Sequence, residues 1–541
     1  MQGLRWALLV AVLLSLILSP VAMAASSTDM DIIEKQTADA AFAASDHGKP
    51  DPSWAGKRFT IAVLASGPRG ALSGPLYFWR PYFEQLTGAT YDVAEIPFAE
   101  FQAKVLTDLA TGQGTYDAIV GPMFLMGDYI ANDWIIPIDK YFDDPRMPKW
   151  DRDSIAEPIK KLYMFGDSWY AFNNDHDGMV LYYRRDILTD PKWQAAFKAE
   201  YGYDLPLPPV TWDQVLDIAR FFNGKDWNGD GKPDYGMSMH LKVGEQGFFN
   251  YLALSAPYVV HPAPGPDPTK VTRYHNVYWF DPETMEPLIN SPGHVRALEM
   301  MIELLKTGPS AQLGWGLGEA WDLFLRGDSI FCFTFGDVGT LSQDTRQSQV
   351  RGKTGTVPIP GSYQVYNLET KSWTTLSEPN LVANESGASW SGVISRYSKN
   401  PDLVAYFLSW QATPEINHWN VAWGWTGVDP GTTYDFLPPI GTAKIEDYVQ
   451  TGYDADDVRE FLLAYQTMWF EYPLSIPYLR IPGAADYIEK LDIHLSEALS
   501  GQASAQEALD RVASDWERIT NRLGRSTQLR LYQESIGYTG Q

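Results

Sequence analysis

The sequence predicts an α/β fold, because strand-like and helix-like segments alternate along the chain. A short β-like run, Phe59 to Leu64, is followed by apolar residues that recur every three or four positions, and the same pattern then repeats. The repeat consists of a helix with Leu76, Trp79, Phe83 and Leu86, a strand from Tyr91 to Ile96, a helix with Phe98, Phe101, Val105 and Leu109, a stop at Gly112, and a strand from Tyr116 to Val120. Such alternation favours a mostly parallel sheet covered by helices.

Two capping boxes predict helix starts later in the chain. Thr211-Trp212-Asp213-Gln214 opens a helix that runs to Phe222, and Ser504-Ala505-Gln506-Glu507 opens another that Gly524 ends. The second helix carries the apolar stripe Leu509, Val512, Trp516, Ile519 and Leu523. Pro- and Gly-rich stretches at 255–268 and 426–440 predict long loops.

Composition narrows the classes of function. The chain has 541 residues, a formal charge of -25 and a pI near 4.7. Nucleic-acid binding needs clustered Lys and Arg, so the acidic balance argues against it and against a polybasic membrane surface. The length leaves room for more than one hydrophobic core.

The N-terminus predicts export. Arg5 precedes the uncharged run from Ala7 to Leu18, and Ala22-Met23-Ala24 forms a small-residue cleavage site, so residues 1–24 are expected to be a cleaved signal peptide. Cys332 is the single cysteine and lies far from that site, which excludes both an intramolecular disulfide and a lipid-anchored cysteine there. We therefore expect a soluble periplasmic protein.

No nucleophile elbow, Walker loop, zinc-binding His pair or dinucleotide fingerprint occurs in the sequence. A secreted carbohydrate hydrolase that uses paired carboxylates stays open as an alternative, because 67 acidic residues leave many pairings possible.

One loop has the spacing of a calcium site. Asp226, Asn228, Asp230 and Asp234 occupy positions 1, 3, 5 and 9 of such a loop, with Gly231 at the turn, but Met237 stands where the bidentate Glu belongs. Two interpretations remain open: a solvated turn rich in Asp and Asn, or a structural Ca²⁺ site.

Aromatic residues are abundant, and several lie in loops next to glycine. Trp390, Trp423 and Trp425 are the best examples. Flat indole rings match the apolar C–H faces of sugars and polyols, while neighbouring polar groups can bond the hydroxyls. For each tryptophan alone, packing into the core is the competing interpretation.

Several short sequence segments occur in an order that resembles the order of motifs in a known family. They are Leu109 to Gly112, Tyr116 to Ile119, Trp134 to Asp139, Trp169 to Phe172, Leu181 to Asp186, Val210 to Asp213, Asp226 to Gly236, Gly355 to Gly361, Gly392 to Ser395, Ser398 to Pro401, Ala498 to Gly501 and Glu507 to Leu509. Together, over roughly residues 56–520, they resemble the family 1 solute-binding proteins of ABC importers, which include maltose-binding protein.

The resemblance implies a type II-like periplasmic binding protein with two α/β lobes, a hinge and a ligand cleft between the lobes. It suggests lobe 1 at 56–173 plus 385–430 and lobe 2 at 174–384 plus 431–525, with an N-terminal extension at 25–55 and a C-terminal tail at 526–541. The implied function is capture of a sugar or polyol by lobe closure and delivery to an ABC permease in the inner membrane, by a monomer and without catalysis or a cofactor. A scaffold or sensor protein without a small ligand is the third possibility.

The resemblance also suggests which residues face the ligand. From the first lobe they are Ser66 and Phe124, and from the crossover they are Asp175, His176 and Asp177. The remaining positions are Asp337, Trp390, Trp423, Trp425 and Arg480, the last expected at the start of a helix that lines the site.

Overall fold

The computed structural model describes residues 27–66, 70, 72–384, 390–424, 427–476 and 478–540. The segment predicted to be a signal peptide, residues 1–24, and the predicted ligand residue Trp425 therefore lie outside the described residues. The strands are β1 Arg58–Leu64, β2 Thr90–Ile96, β3 Ala118–Gly121, β4 Met164–Phe165, β5 Ser168–Trp169, β6 Ala171–Phe172, β7 Val180–Arg184, β8 Tyr235–Ser238, β9 Ser329–Thr334, β10 Thr354–Val357, β11 Ser362–Asn367, β12 Ser372–Asn380, β13 Val382–Ala383, β14 Ser391–Ile394 and β15 Leu474–Ser475.

Helices occupy much of the remaining described chain. They are α1 Ser27–Ala44, α2 Ser73–Thr87, α3 Phe98–Thr111, α4 Met126–Ala131, α5 Glu157–Tyr163, α6 Arg185–Leu188, α7 Pro191–Tyr201, α8 Trp212–Phe222, α9 Phe248–Val259, α10 Pro292–Leu305, α11 Leu317–Leu325, α12 Asp337–Leu341, α13 Pro401–Gln411, α14 Pro414–Trp423, α15 Ile445–Val449, α16 Ala455–Gln466, α17 Ala484–Leu499, α18 Ala505–Leu523 and α19 Arg525–Ile536.

The first lobe is built on a five-stranded sheet in the order β2-β1-β3-β14-β6. Strands β1, β2 and β3 are parallel, with Leu64 opposite Ile96 and Ile61 opposite Ala118. Strand β14 comes from about 270 residues later in the chain than β3 and pairs antiparallel with β3 and β6. The carboxyl ends of the parallel strands therefore lie at one edge of the sheet, which is where open α/β sheets bind ligands.

The second lobe is built on a four-stranded sheet in the order β10-β7-β9-β8. Only β8 and β9 are parallel, while β7 is antiparallel to both β9 and β10. The prediction of a mostly parallel sheet is wrong for this lobe. The reason is the direction of β7, which enters directly from the crossover after β6 and runs opposite to β9.

The two predicted capping boxes are present. The Thr211 hydroxyl accepts from the backbone of Gln214, and the Ser504 hydroxyl accepts from the backbone of Glu507. Each satisfies backbone donors that a helix start would otherwise leave unpaired. The stripe on α18 is buried as far as Ile519, whereas Leu523 at the helix end is 37% exposed. The strand thiol of Cys332 is fully buried.

The stretch at 255–268 differs in part from the expected loop, and both terminal segments contain a helix. The stretch at 255–268 begins inside α9, which tolerates Pro257 and is buried along its whole length. Residues 25–55 include α1, which packs against α14. Residues 526–541, expected to be a tail, contain α19, whose Tyr532 ring is buried against Phe280. The lobe boundaries themselves stay a prediction.

Within the part of the chain that the structure describes, none of the helices combines the length and apolar character needed to cross a membrane.

Candidate functional site

Four aspartates meet where the chain crosses between the two sheets, and we call them the carboxylate cluster: Asp175, Asp177, Asp337 and Asp429. Asp175 and Asp177 lie in the segment between β6 and β7, and Asp337 follows β9 as the first residue of α12. Asp429 comes from the segment that follows α14. Carboxylate oxygens of Asp175, Asp177 and Asp429 lie within 4.8 Å of one another, a spacing that would admit a cation.

Backbone amides and a tyrosine orient the cluster. Asp175 accepts from the backbone N–H of Asp429 at 2.9 Å. Oδ2 of Asp429 accepts from the backbone N–H of Gly336 at 3.2 Å and lies 2.7 Å from the Tyr465 hydroxyl. A Cβ at Gly336 would come within 2.0 Å of Asp429 Oδ1, so only glycine permits this approach of backbone to carboxylate.

Burial raises the pKa values of these acids. Removal from water, reinforced by the charge of Asp429, raises the pKa of Asp337 to about 8. The pKa of Asp429 rises to about 6 through burial, against the opposing hydrogen bonds from Tyr465, Asp177 and Gly336. Burial and the neighbouring acids raise the pKa values of Asp175 and Asp177 as well. The interaction between the neighbouring carboxyls of Asp177 and Asp429 raises the pKa of Asp177 and lowers that of Asp429, which favours the protonated form of Asp177.

His176 lies between two cluster members in sequence but its ring is turned toward the returning segment. Nδ1 lies 3.1 Å from the backbone carbonyl of Asp429, and the ring packs against Gly431. Nε2 is buried without a hydrogen-bond partner among the described residues. Burial lowers the pKa of His176, so the imidazole is neutral at pH 7.

Ser66 belongs to a second polar group, at the edge of the first sheet. Its backbone N–H donates to Glu95 Oε1 at 3.1 Å, and its hydroxyl lies 2.7 Å from that of Ser73. Glu95 also accepts from the Ser73 hydroxyl at 2.7 Å and from the Tyr77 hydroxyl at 3.1 Å. This carboxylate therefore fixes the segment after β1 to the start of α2.

Phe124 and Trp390 line a cavity of about 370 Å³ that we call the aromatic cavity. Its walls on the first lobe are completed by Phe98 and Phe101, whose ring centroids lie 6.2 and 5.4 Å from that of Trp390. Phe248 of α9 lines it from the second lobe, and α17 contributes part of the lining. The Trp390 carbonyl accepts from the side chain of Asn174 at 3.2 Å, which joins the cavity wall to the crossover.

Trp423 ends α14 at the start of the segment that leads to Asp429. Gly424, in the left-handed conformation at φ 72°, ends the helix. A Cβ at Gly424 would come within 2.9 Å of the Thr340 hydroxyl and 2.7 Å of the Tyr453 hydroxyl. The Trp423 ring itself stacks on Trp419, with ring centroids 5.6 Å apart and the planes parallel.

Arg480 is not brought to the other predicted residues. Its guanidinium donates to the backbone carbonyls of Lys161, Met164 and Ser535, and it lines a separate groove beside α5 and α19. Helix α17 begins at Ala484, four residues after Arg480. These contacts tie the first lobe to the C-terminal helix, and a ligand-binding role for Arg480 stays a prediction without a structural contact behind it.

The candidate calcium loop uses its carboxylates within the loop. Asp226 accepts from the backbone N–H groups of Gly229 and Gly231, and Asp234 accepts from those of Trp227 and Asn228. The Asn228 side chain also donates to Asp234 at 2.7 Å. The oxygens expected to bind Ca²⁺ thus already accept backbone hydrogen bonds, as in the solvated-turn interpretation; the calcium interpretation stays untested.

Sequence reasoning missed Asp429, Tyr465 and Glu95. Glu95 could have been found, because it stands at the carboxyl end of a parallel strand. Asp429 and Tyr465 carry no local signal; they reach the cluster only through the fold.

Two sheets joined by crossing segments, with polar and aromatic side chains gathered where those segments meet, define a two-lobed binding protein. The family model of the bacterial extracellular solute-binding protein matches residues 72–418, more than half of the chain, and the chain belongs to this family.

Solved structures with the same fold include three sugar or polyol complexes. A solute-binding protein from Agrobacterium radiobacter K84 in complex with ribitol has a TM-score of 0.63 at 18% identity and covers 87% of this chain and 100% of its own. One from Agrobacterium vitis S4 with bound D-mannitol has a TM-score of 0.61 at 19% identity, covering 86% and 99%. Maltose-bound MalE3 of T. maritima has a TM-score of 0.61 at 15% identity, covering 85% and 99%. The TM-scores, which are above 0.5 over most of both chains, show that these proteins share the fold of this chain.

Proposed function

We propose that the chain captures a polyol or small sugar between its lobes in the periplasm and delivers it, unchanged, to an ABC permease. The carboxylate cluster carries this proposal. A polyhydroxylated ligand loses its water when the lobes close, so each hydroxyl needs a partner of the right kind. Partly protonated carboxyls can both donate and accept, whereas fully ionised ones only accept.

The C–H faces of such a ligand also need an apolar surface, which aromatic side chains provide. Trp390 lines the aromatic cavity and Trp423 is partly buried at the end of α14, and indole rings of this kind would cover the C–H faces of a sugar or polyol. The structures similar in fold bind ribitol, D-mannitol and maltose, and that range of hydroxylated ligands supports the proposed ligand class.

The closure of the lobes is the step that a permease can read. A ligand that contacts both lobes favours the closed state in proportion to its differential affinity for that state. In this proposal the ligand would bind Asp175 and Asp177 at the crossover and Asp337 on the second lobe, which would hold the lobes together.

The proposal is tested by calorimetry and thermal denaturation with ribitol, mannitol, glycerol, maltose and, as a charged control, sorbitol 6-phosphate. We expect stoichiometric binding of at least one neutral compound, a raised melting temperature, and no new product after prolonged incubation. Absence of binding across the neutral panel would refute the proposal, and turnover of a glycoside would establish the hydrolase instead.

The Asp177→Asn variant tests the site itself. Because the amide nitrogen donates but does not accept, it cannot replace a carboxyl O–H that donates one hydrogen bond and accepts another from a ligand hydroxyl, and we expect affinity to fall about 10- to 100-fold. Asp457→Asn is the matched control: Asp457 is a buried carboxylate that pairs with Arg185 away from the cluster. It should lower stability and leave affinity unchanged. Equal affinities of Asp177→Asn and wild type would remove the cluster from the ligand site.

A further inference from the structure

The walls of the aromatic cavity are both aromatic and acidic. Five rings line it: Phe98, Phe101, Phe124, Phe248 and Trp390. Its volume of about 370 Å³ lies within the range of about 300–1,000 Å³ that small-molecule sites occupy. Among the described residues that line this cavity there is no Lys, Arg or His, but there are four acids: Glu245, Asp486, Glu489 and Asp492.

Three of these acids come from one face of α17. Asp486, Glu489 and Asp492 stand three positions apart, so they follow one another along the side of the helix that lines the cavity. Neighbouring like charges on a helix face repel each other and destabilise the helix. A cation held in the cavity would offset this repulsion.

Three of the four acids form exposed ion pairs with cations that do not line the cavity. The pairs are Glu245 with Lys242, Glu489 with Lys490, and Asp486 with Arg522. Exposed pairs of this kind are screened by water and contribute little. They leave the inner side of the cavity without a positive charge.

Asp492 is the fourth acid, and it is buried. The residue is 7% exposed, and its Oδ2 accepts from the backbone N–H of Gly244 at 2.7 Å, which joins α17 to the segment between β8 and α9. Within the described residues it has no cationic partner. Removal from water raises its pKa to about 6, so the carboxyl is largely ionised at pH 7. A cation would stabilise this buried negative charge.

Aromatic faces beside a carboxylate favour an organic cation. The face of a tryptophan or phenylalanine ring attracts an ammonium group through its quadrupole, and tryptophan does so most strongly. The carboxylate adds a charge-assisted hydrogen bond to an ammonium N–H. An inorganic cation needs several oxygen ligands, which aromatic walls do not supply. The cavity therefore suits an ammonium group carried on a carbon chain.

We propose that the aromatic cavity binds the ammonium group of an amino polyol or amino sugar, with Asp492 as its counter-ion and Trp390 and Phe98 beside it. This inference rests on the proposed capture of a hydroxylated ligand between the lobes, and it narrows the class of that ligand. It assigns the charged end of the ligand to the aromatic cavity and not to the carboxylate cluster.

Three compounds with the same six-carbon chain test the charge of the ligand. At pH 7, D-glucamine is positive, D-sorbitol is neutral and D-gluconate is negative. We expect calorimetry to show that D-glucamine binds at least about 10-fold more tightly than D-sorbitol, with D-gluconate the weakest. Equal affinities for D-glucamine and D-sorbitol would overturn the proposal.

The Asp492→Asn variant tests the position of the charge. The amide keeps an oxygen that accepts from Gly244 but carries no charge, so we expect the preference for D-glucamine over D-sorbitol to fall to about twofold or less. Asp457→Asn is the matched control, because it also removes one buried carboxylate and has the same net charge, but it lies at the ion pair with Arg185. It should keep the preference. A preference that survives in Asp492→Asn, or that Asp177→Asn abolishes instead, would refute the assignment to the cavity.

The Phe98→Leu variant tests the aromatic wall and leaves every charge in place. Phe98 is half-buried, and leucine keeps an apolar side chain there without the ring, so this variant tests the cavity even where Asp492→Asn does not fold. We expect the preference for D-glucamine to fall about threefold. A preference equal to that of wild type would contradict the contact between the ring and the ammonium group.

The results of the ligand series separate this inference from the proposed function. Binding of D-sorbitol and D-mannitol as tightly as D-glucamine would support the proposed function and refute the ammonium site. Binding of D-glucamine with no binding of any neutral compound would support the ammonium site and refute the neutral ligand class. Absence of binding by all of these compounds would refute both.

Discussion

Two buried aspartates on the same segment, Asp429 and Asp435, have pKa values shifted in opposite directions. Burial raises the pKa of Asp429 to about 6. Burial would raise that of Asp435 too, but the hydrogen bond and charge of His418 lower it below its usual value. Within the described residues, Asp435 has a cationic partner 3.3 Å away and Asp429 has only other acids and neutral donors.

We call Asp435 and its cationic partner His418 the compensated site. Burial disfavours the charge of His418, but the hydrogen bond to Asp435 and the ion pair with Asp447, whose Oδ2 lies 3.5 Å from Nε2, raise the pKa of His418 to about 9. Asp435 also accepts from the backbone N–H groups of Gly431 and Thr432 and from the Thr432 hydroxyl. A buried charge whose partners all belong to the protein stabilises the folded state and needs no ligand. Among the described residues, Asp429 has no such cationic partner, and a carboxyl in that condition is suited to bind a group from outside the protein.

The largest expected effect comes from breaking the compensated site. Asp435→Asn leaves His418 without its closest anion and weakens the contacts to Thr432, so we expect the free energy of unfolding to fall by about 3 kcal/mol at pH 7. Urea denaturation of the variant measures this loss. Asp177→Asn in the cluster is the comparison and should cost less than about 1 kcal/mol, because it removes an acid that burial already disfavours. A larger loss in Asp177→Asn than in Asp435→Asn would reverse the distinction between the two sites.

The next effect is the pH dependence of stability. A carboxyl whose pKa is higher in the folded state binds its proton more tightly there, so its stabilising contribution is complete below about pH 4 and is lost as pH rises through the folded pKa. That loss extends to about pH 6 for Asp429 and about pH 8 for Asp337. We expect the free energy of unfolding to decrease over this window by up to about 1.4 kcal/mol per pH unit for each group.

The variant Asp337→Asn isolates this contribution. His418 also loses a stabilising proton as pH rises toward 9, so wild type alone cannot separate the two sites. Between pH 6 and 8 the Asp337→Asn curve should be shallower than that of wild type, because the amide does not titrate. Parallel curves from chemical denaturation at a series of pH values would show that Asp337 ionises normally in the folded protein.

The sequence predicts those features of the fold and of the candidate site that depend on residues close together in the chain. The strands and helices of the first lobe follow from periodicity, and the capping boxes at Thr211 and Ser504 follow from residues three positions apart. Asp175 and Asp177 were predicted because the crossover segment itself is recognisable. The antiparallel entry of β7 was missed, since periodicity gives the type of an element and not its direction.

Contacts between distant segments could not be predicted. Asp429 meets Asp175 across 254 residues, and nothing near Asp429 distinguishes it from Asp435. Arg480 shows a related limit: the family resemblance suggested a ligand contact, whereas its hydrogen bonds in the fold go to the backbone carbonyls of Lys161, Met164 and Ser535, which carry no signature in the sequence. Local patterns therefore identify elements and some strand ends, while charge compensation is decided by the fold.

A third acidic region, the loop from Asp226 to Asp234, gives the smallest expected effect and the last test. Its carboxylates are neither paired with a buried cation nor left among other acids; they accept backbone N–H groups of the loop. We expect the melting temperature to be the same in EDTA and in millimolar Ca²⁺, because the loop is already satisfied without an ion. A Ca²⁺-dependent rise that Asp230→Asn abolishes would contradict this expectation, because ligands that bind the folded state stabilise it by mass action. Asp322→Asn, a substitution in an exposed ion pair outside the loop, should show no calcium dependence in either case.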